Sequence, residues 1–477
     1  MPCLDAGNNV RPERRLSSGE PAGDAASRML DDIQREAFTY FLDETNLENG
    51  LVFDTTSGHA PASIATVGLA LTAYPVAVTR GLISRADAAQ RTLTTLRFFW
   101  ESKQGPEPDA TGYRGFYYHF LDMQTGARVW ESELSTVDSA LLIAGMLVAA
   151  EFFDEERAAE REIRDLADRL YARADWHWAQ NGGTTLTHGW SPEGGFLPYR
   201  WQGYDEAMVL YVLALGSPTH PITADSYRAW CSTYEWRTVY DTSYLYAGPL
   251  FTHQLSHVWI DFRGIRDAFM QAHDCDYFEN SRRATLVQRQ YAIHNPRHCA
   301  EYGEWRWGIT ASEGPGNVTR EIQGVPWRFF GYKARGVPDG PDDGTIAPWG
   351  VIASLPFAPD IVMPTIVHWR RLRLGGAHRY GFKTTFNPTF PDPGGSPHGW
   401  VSPWHSGLEM GPIVVMIENY RSGLVWQLLR RCRPVVDGLR AAGFSGGWLA
   451  AGGPDAVRNL RDPAPAPGQQ KSSERSS

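Results

Sequence analysis

Three stretches of this sequence place acidic residues, among aromatic ones, directly before a long apolar run. Asp205 and Glu206 lie in GFLPYRWQGYDEAMVLYVLALGS, Glu133 and Asp138 lie in GARVWESELSTVDSALL, and Glu409 lies in WVSPWHSGLEMGPIVVMIENY. A carboxyl group at the start of a buried helix is partly desolvated, which raises its pKa, while the helix dipole opposes that rise. A carboxylic acid that stays protonated near neutral pH can protonate the departing oxygen of a glycosidic bond.

Cleavage of a glycosidic bond also needs a second carboxylate that faces the acid. We expect Glu206 to be the acid and Glu409 to face it, with Glu133 and Asp138 as the next candidates. Asp138 also completes an S-x-x-D box with Ser135, so helix capping alone explains its presence. In the alternative interpretation, all of these acids only complement helix dipoles. Because the same arrangement recurs in three separate loops, the pattern favours one shared cleft.

Aromatic residues are more abundant than a protein core requires. The chain has 18 Trp, 20 Tyr and 21 Phe, and flat apolar side chains with a polar edge suit a partly hydrated ligand such as carbohydrate. The aromatic residues near the acids, with a few polar neighbours, form the predicted sugar-binding set. Its members are Trp130, Tyr199, Trp201, Tyr204, Asp205, His253, His257, Trp259, Arg263, Trp305, Trp307, Trp400 and Trp404.

One cluster within that set has the spacing of a metal site. His253, His257 and Asp261 are four residues apart and would share one face of a helix. Such a set can bind a transition metal, but the neighbouring Trp259 and Arg263 suit sugar hydroxyl groups as well. An HxxxH spacing is also common by chance. We therefore expect no metal and no other cofactor.

Composition and motifs narrow the classes of partner. The net charge is −9 and no run of Lys and Arg forms a stripe for phosphate groups, so nucleic acid is not an expected partner. The five cysteines are widely spaced without a CxxC pair, which encodes neither a disulfide framework nor a zinc site. The sequence contains no dinucleotide-binding, P-loop or serine-hydrolase motif. Its longest apolar run, residues 139–150, is too short to span a bilayer, so no membrane partner is expected.

The helices that must position these residues have two patterns of hydrophobicity. A helix that is apolar all round must be buried, whereas an amphipathic one lies at the surface. The apolar stretches are 62–79, 139–150, 206–215 and 412–418, and the charged, amphipathic ones are 84–103, 156–180 and 276–293. This alternation, with few convincing strands, predicts an all-α toroid of inner and outer helices. Helices are expected to begin near Asp31, Ala62, Ser84, Ser135, Glu156, Tyr204, Ala224, Leu255, Asp276, Thr345, Asp360 and Leu408.

The two ends of the chain are rich in Gly, Pro and Ser. We predict a disordered leader at residues 1–30, a single catalytic domain at 31–452 and a disordered tail at 453–477. The N-terminus lacks the apolar core of an export signal, which predicts a cytoplasmic protein, or a periplasmic one if the start codon is misassigned. The sequence leaves the oligomeric state open.

Nine longer motifs match those of a known family. They are GFYYHFLDM, ESELSTVDSALL, GFLPYRWQGYDEAM, LALGSPTHP, HQLSHVWIDFRGI, DYFENSRRAT, YGEWRWGITASEGPG, DDGTIAP and GPIVVMIENYRSG. Through these motifs the chain resembles the bacterial glucoamylase-like family, and within it the β-1,2-glucanases of glycoside hydrolase family 144. The resemblance extends from about Asp31 to Arg431.

This resemblance implies an (α/α)6 barrel that hydrolyses β-1,2-glucan to sophorose and short sophoro-oligosaccharides, with inversion and without a metal. The family's general acid falls on Glu206, and its other acidic positions fall on Glu133, Asp138 and Glu409. At the last position the family has Asp followed by an amide residue, whereas this sequence has Glu409 followed by Met410. One additional methylene displaces the carboxylate by about 1 Å, enough to matter for the placement of a water.

Two alternatives stay open at the level of sequence. The cyclising module of cyclic β-1,2-glucan synthases has similar motifs but transfers glucan chains, and a covalent intermediate would need more closely spaced carboxylates. A non-catalytic glucan-binding protein would carry the same aromatic residues but would have no turnover.

Overall fold

The computed structural model describes residues 22–374, 378–392 and 396–450. These residues are mostly helical. Their α-helices are α1 (Ala22–Asp43), α2 (Ile64–Thr79), α3 (Arg85–Glu101), α4 (Thr136–Phe152), α5 (Ala158–Arg173), α6 (Trp176–Ala179), α7 (Met208–Leu215), α8 (Ala224–Cys231), α9 (Ala268–Ala272), α10 (Tyr277–His294), α11 (Pro348–Ala353), α12 (Pro359–Leu372), α13 (Gly407–Arg421), α14 (Leu424–Leu429), α15 (Arg433–Ala441) and α16 (Gly447–Ala450). Two 3₁₀ turns, Leu250–His253 and Leu255–Val258, follow one another between α8 and α9.

Short strands connect the helices. They are β1 (Ala62–Ser63), β2 (Gly112–Tyr113), β3 (Phe116–Tyr118), β4 (Phe120–Leu121), β5 (Leu134–Ser135), β6 (Gly189–Ser191), β7 (Gly195–Phe196), β8 (Trp236–Val239), β9 (Thr242–Leu245), β10 (Ala311–Ser312), β11 (Val318–Ile322), β12 (Val325–Phe329), β13 (Lys333–Ala334), β14 (Phe386–Asn387) and β15 (Trp400–Val401). An antiparallel sheet has the order β2-β3-β5-β6-β7, and the other strands form pairs. In this sheet Ser135, which caps α4, is paired with Gly189.

The helices that are apolar on all sides form the centre of the fold. Helix α2 packs against α4 and α13, α4 also packs against α7, and α13 packs against α11 and the second 3₁₀ turn. That turn is tied to α7, because Val209 donates its backbone N–H to Ser256 Oγ at 3.1 Å. It is tied to α11 through Gln254, whose Nε2 donates to the backbone oxygen of Gly350 at 2.5 Å.

The amphipathic helices cover this centre, as the two hydrophobicity patterns of the sequence predict. Helix α1 packs on α13, α5 packs on α3 and α4, and α10 packs on the first 3₁₀ turn. In α3 and α5 the buried residues lie on one face, whereas nearly every residue of α2, α4 and α7 is buried. A helix with one apolar face gains its stability by burying that face, which explains the two positions.

Two S-x-x-D boxes, SRAD from Ser84 and STVD from Ser135, cap the helices that are expected to begin near these serines. Ser84 Oγ accepts the backbone N–H of Asp87 at 3.1 Å at the start of α3. At the start of α4, Ser135 Oγ accepts the backbone N–H of Asp138 at 3.2 Å and donates to its carboxylate at 2.5 Å. Each cap satisfies an N–H group that lacks a partner within its own helix.

Two sequence-based expectations are wrong. Residues 22–30 belong to α1, although they were expected in a disordered leader; Leu30 and Ile33 on its apolar face are buried. The helix expected from Leu255 is replaced by the two 3₁₀ turns, so His253, His257 and Asp261 do not share a helical face. Residues 1–21 and the expected tail at 453–477 lie outside the described residues.

The lengths and hydropathies of the helices can be compared with what a bilayer-spanning helix needs. Among the helices of residues 22–374, 378–392 and 396–450, none is both long enough and apolar enough to cross a bilayer.

Helices α2 and α4 cross where two glycines meet. A Cβ atom built on Gly68 would lie 2.4 Å from the backbone oxygen of Leu141, and one on Gly145 would lie 2.1 Å from the backbone oxygen of Gly68. Both distances are well below van der Waals contact, and the neighbouring atoms are backbone. Any side chain here would therefore push the two central helices apart.

We expect Gly68→Ala to destabilise the protein by about 1–3 kcal/mol, the usual effect of overpacking a core. The measurement is the shift of the thermal unfolding midpoint relative to the wild type. Gly58→Ala is the matched control, since a Cβ there meets nothing within 4 Å. Equal midpoints for the two variants would contradict the glycine contact between α2 and α4.

Candidate active site

The acids singled out in the sequence lie at the starts of central helices. Asp138 is in the first turn of α4 and Glu409 in the first turn of α13, while Glu206 stands just before α7. Burial raises the pKa of Glu206, and the charge of Asp138 raises it further. Burial also raises the pKa of Tyr332, and Glu409, Glu206 and Asp138 all add to that rise. The three helix starts therefore lie within electrostatic reach of one side chain, and the region between them is the candidate cleft.

Glu206 has the environment of a proton donor. Its side chain is half-buried, and desolvation raises its pKa to about 7, with its own backbone N–H lowering it and Asp138 raising it further. Apart from that N–H, no group in the described part of the chain donates a hydrogen bond to its carboxyl group. The backbone at Glu206 is held by the second 3₁₀ turn, because Ser256 Oγ donates to the Glu206 backbone oxygen at 3.3 Å.

Glu133 and Asp138 share a histidine that the sequence analysis did not select. His119 Nδ1 lies 2.9 Å from Glu133 Oε1 and 3.7 Å from Asp138 Oδ2. Burial alone would lower the pKa of His119, but Asp138, Glu133 and Asp54 together raise it to about 9. Desolvation of Glu133 is outweighed by the same contact, which holds the pKa of its carboxyl group below the ordinary value. An imidazolium therefore neutralises part of the acid cluster at neutral pH.

Asp54 and Glu313 are two further acids of the cleft that the sequence analysis missed. Burial raises the pKa of Asp54 to about 6, which His119 opposes and Asp138 supports. Burial also raises the pKa of Glu313, and Asp54 adds to the rise. Asp54 also precedes an apolar helix, α2, but by ten residues, so a pattern that requires the acid directly before the helix does not predict it.

Glu409 is the most secluded of the acids. Only 6% of its surface is exposed, and its Oε2 has no hydrogen-bond partner. Burial raises its pKa well above the usual range, and Glu313 and Asp54 raise it further. The ionised form of Glu409 is therefore disfavoured, because among the described residues no hydrogen-bond donor reaches its Oε2 to compensate for a buried charge.

The predicted sugar-binding aromatic residues differ in exposure. Trp130 and Tyr199 are each 66% exposed, which leaves their rings free to contact a ligand. Trp201 is only 7% exposed. Its Nε1 donates to Thr136 Oγ1 and its ring stacks on His188, so these contacts hold the side chain within the protein. Half-buried positions are taken by Tyr204, Trp305, Trp400 and Trp404.

Four members of the predicted set lie in the core and do not line the cleft. Trp259 and Trp307 are completely buried, with their indole N–H groups donated to Thr72 Oγ1 and Thr365 Oγ1. His253 and His257 are also buried, which lowers their pKa values to about 4 and about 3. For these four residues the prediction of direct sugar contact is wrong, because no ligand can reach them.

Two charged members of the set have protein partners. Arg263 forms an ion pair with Asp261, at 2.7 Å between Nη2 and Oδ2, and its guanidinium lies over the ring of Trp426. Asp205 Oδ1 accepts the backbone N–H of Ala207 and the indole N–H of Trp230, both at 3.0 Å. Both side chains therefore stabilise the loops in which they lie.

The described residues contain one group with the geometry to hold a metal ion. His119, Glu133 and Asp138 each offer a ligand atom, and these atoms lie within 4.8 Å of one another. The His253, His257 and Asp261 set of the sequence analysis is not such a group. A metal at His119 would have to displace the proton that the imidazole holds, because a ligating histidine is neutral.

The chain is similar in sequence and in structure to known proteins. The Glycoamylase family model, described as "Putative glucoamylase", matches residues 198–433. The crystal structure of a "putative glucoamylase" from Bacteroides uniformis ATCC 8492 is 30% identical, covers 92% of this chain and 100% of its own, and has a TM-score of 0.78. This chain belongs to the glucoamylase-like family.

Two further relatives have named activities. The endo-β-1,2-glucanase from Chitinophaga pinensis, solved with sophorotriose and glucose, is 26% identical to this glucoamylase-like chain, covers 89% of it and 99% of its own chain, and has a TM-score of 0.77. An exo β-1,2-glucooligosaccharide sophorohydrolase (non-reducing end) from Parabacteroides distasonis is 28% identical over an alignment of 451 residues that covers 87% of this chain. The chain spans 57% of the length of that sophorohydrolase.

The raised pKa of His119 leads to a prediction on stability. A group whose folded pKa of about 9 exceeds its ordinary value of 6.5 stabilises the fold fully below the lower value, and this contribution is lost as the pH rises through the higher one. We expect His119→Gln to lower the thermal unfolding midpoint at about pH 6, and the difference from wild type to shrink by about pH 10. His59→Gln, at an exposed histidine, is the control. A difference independent of pH would contradict the protonated His119.

Proposed function

We propose that this protein is an inverting glycoside hydrolase that cleaves β-1,2-glucan to sophorose and short sophoro-oligosaccharides. The single observation that carries the proposal is Glu206, a half-buried carboxyl group that stays protonated to about pH 7 in a cleft with other acids. The named activities of the relatives support β-1,2-glucan as the substrate. The exposed rings of Trp130 and Tyr199 suit a glucan chain, since aromatic side chains pack on apolar faces while their surroundings stay hydrated.

We also infer that the fold is an (α/α)6 barrel. The six inner elements would be α2, α4, α7, the paired 3₁₀ turns, α11 and α13, which contact one another in sequence around a ring. The outer elements would be α1, α3, α5, α8, α10 and α12, so that each outer helix precedes its inner partner along the chain. In such a ring the inner helix starts share one end, which supports a single cleft for the acids.

The chemistry follows from the protonation states. Glu206 donates its proton to the glycosidic oxygen as the bond from the anomeric carbon to that oxygen breaks. A water attacks the anomeric carbon from the opposite face, and a carboxylate accepts the proton of that water. Inversion results because the bond to water forms on the face opposite the departing oxygen. The acid becomes a carboxylate and the base becomes protonated, so the active site recovers by exchanging one proton with solvent.

The base is proposed to be Asp138, one of the three candidates from the sequence. Of these, it is the one whose charge acts on the Glu206 carboxyl group, and the His119 imidazolium lies 3.7 Å from its Oδ2. Glu133 is bound more tightly to the same imidazolium, at 2.9 Å. Burial raises the pKa of Glu409 well above its usual range, which disfavours the carboxylate form that a base needs. Isosteric amides separate the three, since D138N is expected to lower kcat more than E133Q or E409Q.

We expect the wild-type protein to release reducing sophoro-oligosaccharides from linear β-1,2-glucan, and not from β-1,3-, β-1,4- or α-1,4-glucan. Glu206→Gln should lower kcat by about 10²–10⁴-fold, the usual contribution of a general acid, without abolishing glucan binding. Glu304→Gln is the matched control, because Glu304 is a surface acid paired with Arg289. NMR of the newly formed anomer tests inversion. Ring-shaped or longer products would indicate glucan transfer, and glucose released from starch alone would refute the substrate.

The pH dependence of kcat/KM should have a descending limb near pH 7. Glu206 must be protonated to act, and it loses its proton as the pH rises through its pKa of about 7. Residual activity in the Glu206→Gln variant should lack this limb, since Gln does not titrate. A limb at the same pH in both proteins would assign it to another group.

A further inference from the structure

Tyr332 is an exposed aromatic residue that no part of the proposed reaction uses. It lies between β12 and β13, and 69% of its surface is exposed. Within the described part of the chain, its hydroxyl group makes no hydrogen bond and its ring has no aromatic or cationic partner. Single exposed apolar side chains are normal on a protein surface, so the exposure of this ring does not by itself establish a site.

The segment that presents Tyr332 is held by a completely buried ion pair. Arg335 binds Asp343 through two hydrogen bonds, Nε to Oδ1 at 2.8 Å and Nη2 to Oδ2 at 2.9 Å. Arg335 also donates from Nη1 to the backbone oxygen of Ser312 at 2.7 Å, and from Nη2 to those of Phe330 and Gly331 at 3.1 and 3.2 Å. These bonds fix both ends of the segment that connects β10 to β13. An exposed ring on so rigid a base loses little conformational freedom when it binds a ligand.

The pairing of β10 with β13 places Tyr332 beside the acids. Ser312 pairs with Lys333 in antiparallel register, which sets Tyr332 opposite Glu313, and Thr385 Oγ1 donates to the backbone oxygen of Glu313 at 2.9 Å. Desolvation raises the pKa of the Tyr332 hydroxyl group, in agreement with this position. The pKa is raised further by Glu409, Glu206, Asp138 and Asp54. These four acids come from four separate segments of the chain. A side chain within electrostatic reach of all of them lies where those segments converge.

We propose that Tyr332 is a substrate-contact residue that covers the glucosyl unit next to the cleaved bond. This role rests on the proposed function. The flat ring would pack on the apolar face of the pyranose, and the free hydroxyl group would donate to a sugar hydroxyl or to the bound water. Covering the sugar also removes bulk water from the acids, which strengthens their electrostatic action on the reacting atoms.

The test is a steady-state comparison of three substitutions on linear β-1,2-glucan. Tyr332→Ala removes the ring and should raise KM by about 10–100-fold, the scale of one aromatic contact and its buried area. Tyr332→Phe keeps the ring and should raise KM by less than about fivefold, roughly the effect of one neutral hydrogen bond. Tyr332→Trp should stay near the wild type. Thermal unfolding midpoints should be equal in all of them, because the side chain has no partner in the fold.

Tyr420→Ala is the matched control. Tyr420 is also an exposed tyrosine, but it lies near the end of α13, at the opposite end of that helix from Glu409. Its kinetic constants should equal those of the wild type. Binding of sophoro-oligosaccharides to Glu206→Gln and to Glu206→Gln/Tyr332→Ala, followed by calorimetry, separates ground-state contact from effects on turnover. The double variant should bind about 10–100-fold more weakly.

Each outcome has a distinct meaning. A wild-type protein that leaves β-1,2-glucan intact overturns the proposed function and this role with it. A wild type that hydrolyses the glucan while Tyr332→Ala keeps its KM and its oligosaccharide affinity overturns the role of Tyr332 alone. A lower unfolding midpoint in Tyr332→Ala, with wild-type KM in Tyr332→Ala and in Tyr332→Phe, would also overturn it, since the side chain would then be structural.

Discussion

Acidic groups crowded into one partly dry cleft cannot all be ionised together, and this constraint organises the site. Desolvation disfavours each carboxylate, and every ionised neighbour makes the next ionisation more costly. The imidazolium of His119 relieves this locally, so Glu133 ionises readily while Glu206 retains its proton to about pH 7. Burial also raises the pKa of Glu409 well above its usual range, and Glu313 and Asp54 add to that rise. Carboxyl groups of similar chemistry thus receive different protonation states, which acid and base catalysis require.

The crowding depends on how closely the central helices pack. Gly68 and Gly145 let α2 and α4 approach until backbone meets backbone, so the starts of neighbouring helices come within electrostatic reach. Helices that are apolar on every side can occupy such a position, because no polar face has to remain in water. The acids Asp138 and Glu409 lie in the first turns of such helices. Here the dipole of each helix offsets part of the desolvation penalty, which makes an acid at a helix start less costly than one along its length.

Local signals in the sequence predict the helices well and the site only in part. Helix α4 begins where the S-x-x-D box of Ser135 predicts, because capping is decided within four residues. By contrast, nothing local distinguishes the core indole of Trp259 from a cleft aromatic; its partner, Thr72, is 187 residues away. The cleft position of Asp54 depends likewise on a distant contact, since Gly407 donates its backbone N–H to the Asp54 backbone oxygen at 2.9 Å. Sequence patterns capture periodicity and caps, and long-range pairing decides which side chains share a cleft.

The acidic residues and the exposed aromatic residues lie on different kinds of structural element. Acids stand on helix starts, whose positions the core packing fixes to within the tolerance that proton transfer allows. The exposed rings of Trp130, Tyr199 and Tyr332 stand on connecting segments instead. Loops change sequence more freely than the elements they join, so substrate preference can change among relatives while the acids keep their arrangement. Relatives of 26–30% identity retain TM-scores of 0.77–0.78 with this chain, as expected if packing conserves the helices. The buried Arg335–Asp343 pair is then the link between the two, because it gives a loop residue the positional precision of the core.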